Sequence, residues 1–281
     1  MDCIAVNQSS SLKWSFYQDV VRYASRGLDG IGVCRQKLSD VGRDEAADFL
    51  YEMKMSVSSL SWAGGFTGCN AMSLRDAIDD AIDGIETAAM LKANCLVIHS
   101  GHRNGHTYKH SRRLFDDAMF ELLPIAEELG VTLALEPMDC VNSPRWSLFC
   151  GLQETISTVR SFDVPQLQIV LDLFHVGGDR SAAQCLQEYL DLVCLVQFSD
   201  RKSADDFSSI RTVPGGGNIP LLSWVKLLAH AGYNGPIEVE VFGSETSRVG
   251  YDYTLVQSSA FLHDARTTRL SIQSQPANRV R

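Results

Sequence analysis

A chain of 281 residues, 45% of them hydrophobic and 21% charged, can bury a large core as one domain or as two small ones. Its net charge of −9 comes from acids spread along the sequence rather than from a block, a pattern that favours solubility and argues against nucleic acid as a partner. No basic segment followed by an apolar stretch opens the chain and no run approaches bilayer-spanning length, so neither a signal peptide nor a membrane association is expected. Eight cysteines resemble a disulfide set, but Cys3, Cys34, Cys95 and Cys194 fall in or beside apolar strand-like runs, where a thiol serves as a small hydrophobe. With no CxxC pair, neither a zinc cluster nor a redox motif is expected, and a reducing, cytoplasmic setting follows.

In chain order, strands are predicted at Cys3 to Asn7, Gly30 to Cys34, Met55 to Leu60, Cys95 to His99, Val131 to Glu136, Leu167 to Asp172, Val193 to Ser199 and Pro236 to Val241. Leu74 to Leu91 carries apolar residues at Leu74, Ile78, Ile82, Ile85 and Ala89, the spacing of a buried helical face. Arg113 to Leu129, Leu152 to Arg160, Leu221 to Ala231 and Tyr253 to Leu262 read likewise as helices, and Gly130 and Gly232 stop two of them. Alternating strands and helices imply parallel pairing through right-handed crossovers. Eight such units suit the length of a single (β/α)8 TIM barrel, and no GxGxxG turn follows the first strand to support an open doubly wound sheet. The expected organisation is a barrel over residues 1–270 and a polar tail, SIQSQPANRVR, over 271–281.

The last four predicted strands each end on an oxygen-bearing side chain: Glu136 in LALEP, Asp172 in VLDLFH, Gln197 in VQFSD and Glu240 in EVEVF. In a barrel these ends share one rim, where active sites are built. Each acid taken alone could cap a helix or pair with a nearby Arg. Together, three carboxylates around one point require a cation or bound protons. Three carboxylates and an amide carbonyl form an all-oxygen set, which favours Mn²⁺ or Mg²⁺ and leaves room for zinc or cobalt.

With these motifs the chain resembles the xylose isomerase-like TIM-barrel superfamily, in particular its sugar phosphate isomerase/epimerase group. The likeness runs from the first strand to Phe242 and is carried by LALEP, LDLFH, VQFSD, PGGG and GYNGPIEVEVF. It implies that Glu136, Asp172, Gln197 and Glu240 bind one divalent metal. Gln197 departs from the His usual in the group and resembles instead the hydroxypyruvate isomerase-like and 3-dehydroshikimate dehydratase-like members. Gln keeps a carbonyl oxygen for the metal while making the site harder.

A hydroxyl and a neighbouring carbonyl held side by side by a cation become acidic at the intervening carbon, through an enediolate. Glu136 and Glu240 are then the general bases and acids, and the resemblance implies the same roles. Proton return gives epimerisation or aldose-ketose isomerisation; loss of a β-hydroxyl gives dehydration.

His175, three residues past Asp172 and matching a His of the group, is assigned to substrate hydroxyls. VIHSGHRNGH places His99 at a strand end and His102 and His106 in the next loop, where substrate contact by His99 and His102 is preferred to a second zinc site. Arg211, before the PGGG turn, is preferred to Arg201 for holding a substrate anion, and Trp62 is expected to wall the substrate. Trp14 and Trp146 fit ordinary packing equally well. The GGG run lacks the Lys or Ser of a phosphate cradle.

The leading expectation is a metal-dependent sugar or keto-sugar isomerase or epimerase acting on a small polyhydroxylated carbonyl substrate. A lyase of the dehydroshikimate dehydratase type and a non-catalytic ligand-binding barrel are the alternatives. Homo-oligomerisation is compatible with every one of these readings.

Overall fold

Eight parallel strands close into one barrel in a computed structural model that describes residues 3–139, 141, 143–202 and 210–274. They are β1 (Ile4–Asn7), β2 (Gly30–Cys34), β3 (Ser56–Gly64), β4 (Leu96–His99), β5 (Leu133–Leu135), β6 (Leu167–Asp172), β7 (Val193–Phe198) and β8 (Ile237–Val239). Neighbours around the barrel follow chain order, and β8 closes on β1 through Ile4↔Ile237 to Val6↔Val239. Every predicted strand is present, and the expected (β/α)8 barrel is the fold.

The strands are buried on both faces, as parallel strands under a helical layer must be. Their outward residues, such as Leu96, Ile98, Leu133 and Leu135, join the large core shared with the helices. The alternate residues Cys95, Val97, Ala134, Val170 and Leu195 form a separate cluster inside the barrel. Because side chains alternate along a strand, these inward positions continue to His99, Glu136, Asp172 and Gln197 at the strand ends. The period that fills the barrel therefore also aims the rim residues at its axis.

The helix over Leu221–Ala231 has the predicted bounds, and the one over Leu74–Met90 comes within a residue of them. Gly130 and Gly232 adopt φ values of 67° and 86° at helix ends, the left-handed conformation that glycine supplies without strain. The helix predicted from Arg113 begins earlier, at Tyr108, because Thr107 caps it by accepting the His110 N–H. Helices at Phe16–Ser25, Arg35–Val41 and Arg43–Glu52 lay outside the sequence prediction. The last of these buries only Ala46 and Leu50, so its apolar period is faint. The C-terminal helix, Tyr251–Gln273, exceeds its predicted span. Buried Arg269 ties it down by donating to the carbonyls of Tyr233 and Gly235. Residues 275–281 of the predicted tail lie outside the described residues.

Cys3, Cys34, Cys95 and Cys194 are not in disulfides, as their apolar settings suggested, whereas Cys150 is disulfide-bonded, which that reading did not anticipate. Among the described residues no helix is long and apolar enough to cross a membrane.

Candidate active site

The C-terminal rim of the barrel opens into a cavity of about 1150 Å³. Glu136, Gln197, Glu240, His175, His99, Arg211 and Trp62 line it, so seven of the residues singled out from sequence meet there. Asp172 lies fully buried beside them, in register with Gln197 across β6 and β7. His102 does not reach the cavity: its Nδ1 accepts the Asn104 N–H at 3.0 Å within the loop after β4. Among the described residues, neither His102 nor His106 joins a group able to hold a metal.

Arg211 sits at the centre. Its Nη2 is 2.5 Å from Asp172 Oδ2 and 4.0 Å from Glu136 Oε1, and its Nη1 is 3.8 Å from Glu240 Oε2. Phe174 and Phe242 pack against the guanidinium at 4.5 and 4.6 Å, and Nη1 donates to Ser199 Oγ at 3.0 Å. Burial alone would lower the Arg211 pKa, but the charges of Asp172, Glu240 and Glu136 raise it overall, so it stays a cation.

The two terminal glutamates differ electrostatically. Burial pushes Glu136 up, but His99, whose Nε2 is 2.7 Å from Oε2, outweighs it with His175 and Arg211 and brings the carboxyl down to about 2. Among the described residues, the Glu240 carboxyl accepts a hydrogen bond only from the Ser9 hydroxyl, at 3.2 Å. Burial raises Glu240 most; Arg211 pulls it back, Glu136 and Asp172 push it up again, and it stands at about 8.

His175 Nε2 faces the acids, 3.7 Å from Glu136 Oε1 and 3.9 Å from Asp172 Oδ2. Its Nδ1 donates to Asp139 Oδ2 at 3.0 Å, a contact that orients the ring with Nε2 toward the acids. Asp139 is in turn held by Arg201, at 3.0 Å. Arg201 is thus a support beneath the site, and Asp139 is a member that the sequence reading missed. Its only signal was its place three residues past Glu136. Trp62 stacks on His99 with ring centroids 4.8 Å apart, and Trp146 meets both rings edge-on at 6.4 Å and lines the cavity. Trp14 instead packs on Tyr251, away from the cavity.

The PGGG loop is wrapped around Asp200, whose carboxylate accepts from the amides of Gly215 and Ile219 at 3.2 and 2.9 Å. The Gly216 and Asn218 amides donate to the carbonyls of Val213 and Arg201. Those amides are taken, which accounts for the glycines as a tight turn rather than a phosphate cradle.

These residues fit a single divalent cation. Gln197 Oε1 is buried with no donor, and Asp172 Oδ2 meets Arg211 as an ion pair without hydrogen-bond alignment. Asp172 Oδ1 is occupied, accepting the Phe174 N–H at 2.9 Å to cap the short helix Leu173–Val176. Three carboxyl groups are set against one guanidinium, and Glu240, raised to about 8, keeps its proton near neutral pH; a divalent ion that displaced this proton would balance the three carboxylates. Glu136, Asp172 and His175 offer ligand atoms within 4.8 Å of one another, and the imidazole adds a nitrogen donor that suits zinc or cobalt as well as manganese.

Several solved structures share this architecture. Protein SMc04130 from Sinorhizobium meliloti superposes with a TM-score of 0.85 at 22% identity, covering 93% of this chain and 98% of its own. IolI, solved with a bound zinc atom, gives 0.76 at 19% identity over 97% and 98%. D-psicose 3-epimerase from Clostridium cellulolyticum, solved with D-tagatose, gives 0.75 at 17% over 95% and 99%. At these identities the likeness is one of fold. No curated protein matches the chain in sequence. The sequence model of the xylose isomerase-like TIM barrel, however, matches residues 20–264. The chain therefore belongs to the xylose isomerase-like TIM-barrel family.

Proposed function

We propose that the protein is a metal-dependent isomerase or epimerase of a sugar, keto-sugar or similar polyhydroxylated carbonyl compound, working by proton abstraction next to the carbonyl. The observation that supports this reading is the pair of buried carboxylates, Glu136 and Glu240, at the two nitrogen ends of Arg211 and facing one cavity. Their surroundings push them apart, Glu136 to about 2 and Glu240 to about 8, the separation that suits partners in acid-base chemistry.

Asp172, Gln197 and the two glutamates are assigned to hold the ion, with His175 Nε2 as a further donor. Bound there, a divalent ion would polarise a carbonyl and its neighbouring hydroxyl and acidify the intervening carbon. Glu240 accepts or returns the proton at one side of that carbon, and Glu136, kept ionised by His99, serves the other. Arg211 and His175 orient substrate oxygens, while Trp62 and Trp146 form the wall that keeps water from the reacting carbon. The D-tagatose complex of D-psicose 3-epimerase and the zinc of IolI support a sugar substrate and a metal. A dehydratase acting on a keto-acid is the second reading, favoured by Arg211 as a buried cation to which a substrate carboxylate can bind.

Deuterium wash-in tests both readings. The Mn²⁺-loaded protein is incubated in D₂O with a panel of ketoses and keto-acids. Solvent label at carbon in recovered sugar supports the isomerase or epimerase. Water loss with a new ultraviolet chromophore identifies the lyase, and neither outcome across the panel overturns proton abstraction.

A further inference from the structure

Glu238 lies two residues before Glu240, fully buried inside the barrel. Four side chains donate to it: Asn7 Nδ2 at 2.8 Å and Gln197 Nε2 at 2.9 Å to Oε1, Ser58 Oγ at 2.5 Å and Ser59 Oγ at 2.8 Å to Oε2. Space for the carboxylate comes from Gly32, where a Cβ would stand 2.6 Å from both Glu238 Oε2 and Asn7 Nδ2. Residues of β1, β2, β3 and β7 are thus committed to one acid that has no acceptor capacity left for a substrate.

The consequence falls on Gln197. A side-chain amide presents either its oxygen or its NH₂ after half a turn, and only the oxygen can bind a cation. A carboxylate can only accept, so Glu238 selects the Gln197 NH₂ and turns Oε1 the other way. There Oε1 is buried without a donor, on a residue that lines the cavity and is in register with Asp172. We propose that Glu238 is a positioning residue whose hydrogen bond to Gln197 fixes the amide so that its carbonyl oxygen faces the ion. This rests on the metal site proposed above.

The test is Mn²⁺ affinity, followed by the electron paramagnetic resonance of the free ion. Glu238→Met removes the acceptor at similar volume and should weaken binding about 10- to 100-fold, the usual effect of losing an outer partner of a ligand. Glu238→Gln keeps an acceptor, because the Asn7 amide, anchored by Oδ1 accepting the Ser9 N–H at 2.9 Å, directs the Gln carbonyl toward Asn7 and Gln197. It should stay within about threefold of the parent. With Gln197→Ala in place, Glu238→Met should change affinity by less than about threefold. Parent-like binding by Glu238→Met, equal losses in the Met and Gln variants, or an undiminished loss without Gln197 would each overturn the proposal. If Glu238→Met does not fold, the Gln197 side-chain amide protons of the parent, identified by their disappearance in Gln197→Ala, decide it. Protection from solvent exchange with and without Mg²⁺ supports the bond, and rapid exchange refutes it. Failure of the parent to bind Mn²⁺ would be a failure of the metal site itself.

Discussion

Glu238 in β8 and Glu240 just past its end occupy successive inward positions, yet the protein treats them in opposite ways. Glu238 is closed off by four donors from three other strands. Glu240 has one serine hydroxyl and a guanidinium 3.8 Å away. The same contrast separates two layers of the barrel. In the deeper one every acceptor of the acid is filled; in the rim layer Gln197 Oε1 has no donor and three carboxylates outnumber one Arg. Buried polar groups are normally satisfied, so a layer left open directly above a layer that is closed marks where a ligand belongs.

The largest expected effect that sharpens this contrast comes from Glu240→Gln. The variant keeps a carbonyl oxygen for the ion but loses the proton acceptor, so turnover and deuterium wash-in should fall roughly 10²- to 10⁴-fold while metal and substrate affinities stay within about tenfold. Turnover near the parent level with metal bound would reduce Glu240 to a ligand.

A second effect is in pH. The folded Glu240 carboxyl, at about 8, lies above its ordinary value of 4.5, so its contribution to stability is present below pH 4.5 and is lost as pH rises through about 8. A divalent ion must displace that proton. Its apparent affinity should therefore climb up to about tenfold per pH unit and level off near pH 8, and the stabilisation it confers, read as a shift in Tm, should grow over the same range. Affinity independent of pH between 6 and 8 would mean that Glu240 already binds as a carboxylate.

Gln197→His gives the smallest change. An imidazole nitrogen replaces the carbonyl oxygen, so preference should move toward zinc or cobalt over manganese by about tenfold, with the ion retained. Unchanged relative affinities would place Gln197 outside the ion's shell.

The barrel was legible because eight strands with buried inward and outward faces leave a strong apolar signal, and strand ends locate a rim. Arg211 was legible through its place before PGGG, although its position among all three acids required the fold of the long loop after β7. Glu238 was the clearest miss. The alternation in EVEVF puts Glu238 and Glu240 on one face, but only the partners from β1, β3 and β7 reveal which acid is closed and which is open. His102 lies outside the cavity lining, its Nδ1 accepting the Asn104 N–H within the same loop, a local choice that spacing does not encode.

The central claim, that the rim layer is built for one divalent ion, is tested most directly by titrating the parent and Asp172→Ala with Mn²⁺ and counting bound ions per chain. The account predicts one ion in the parent. It predicts a sharp loss of occupancy in the variant, because an oxygen donor disappears and the remaining acids are left close together. Equal metal content in the two proteins would contradict it.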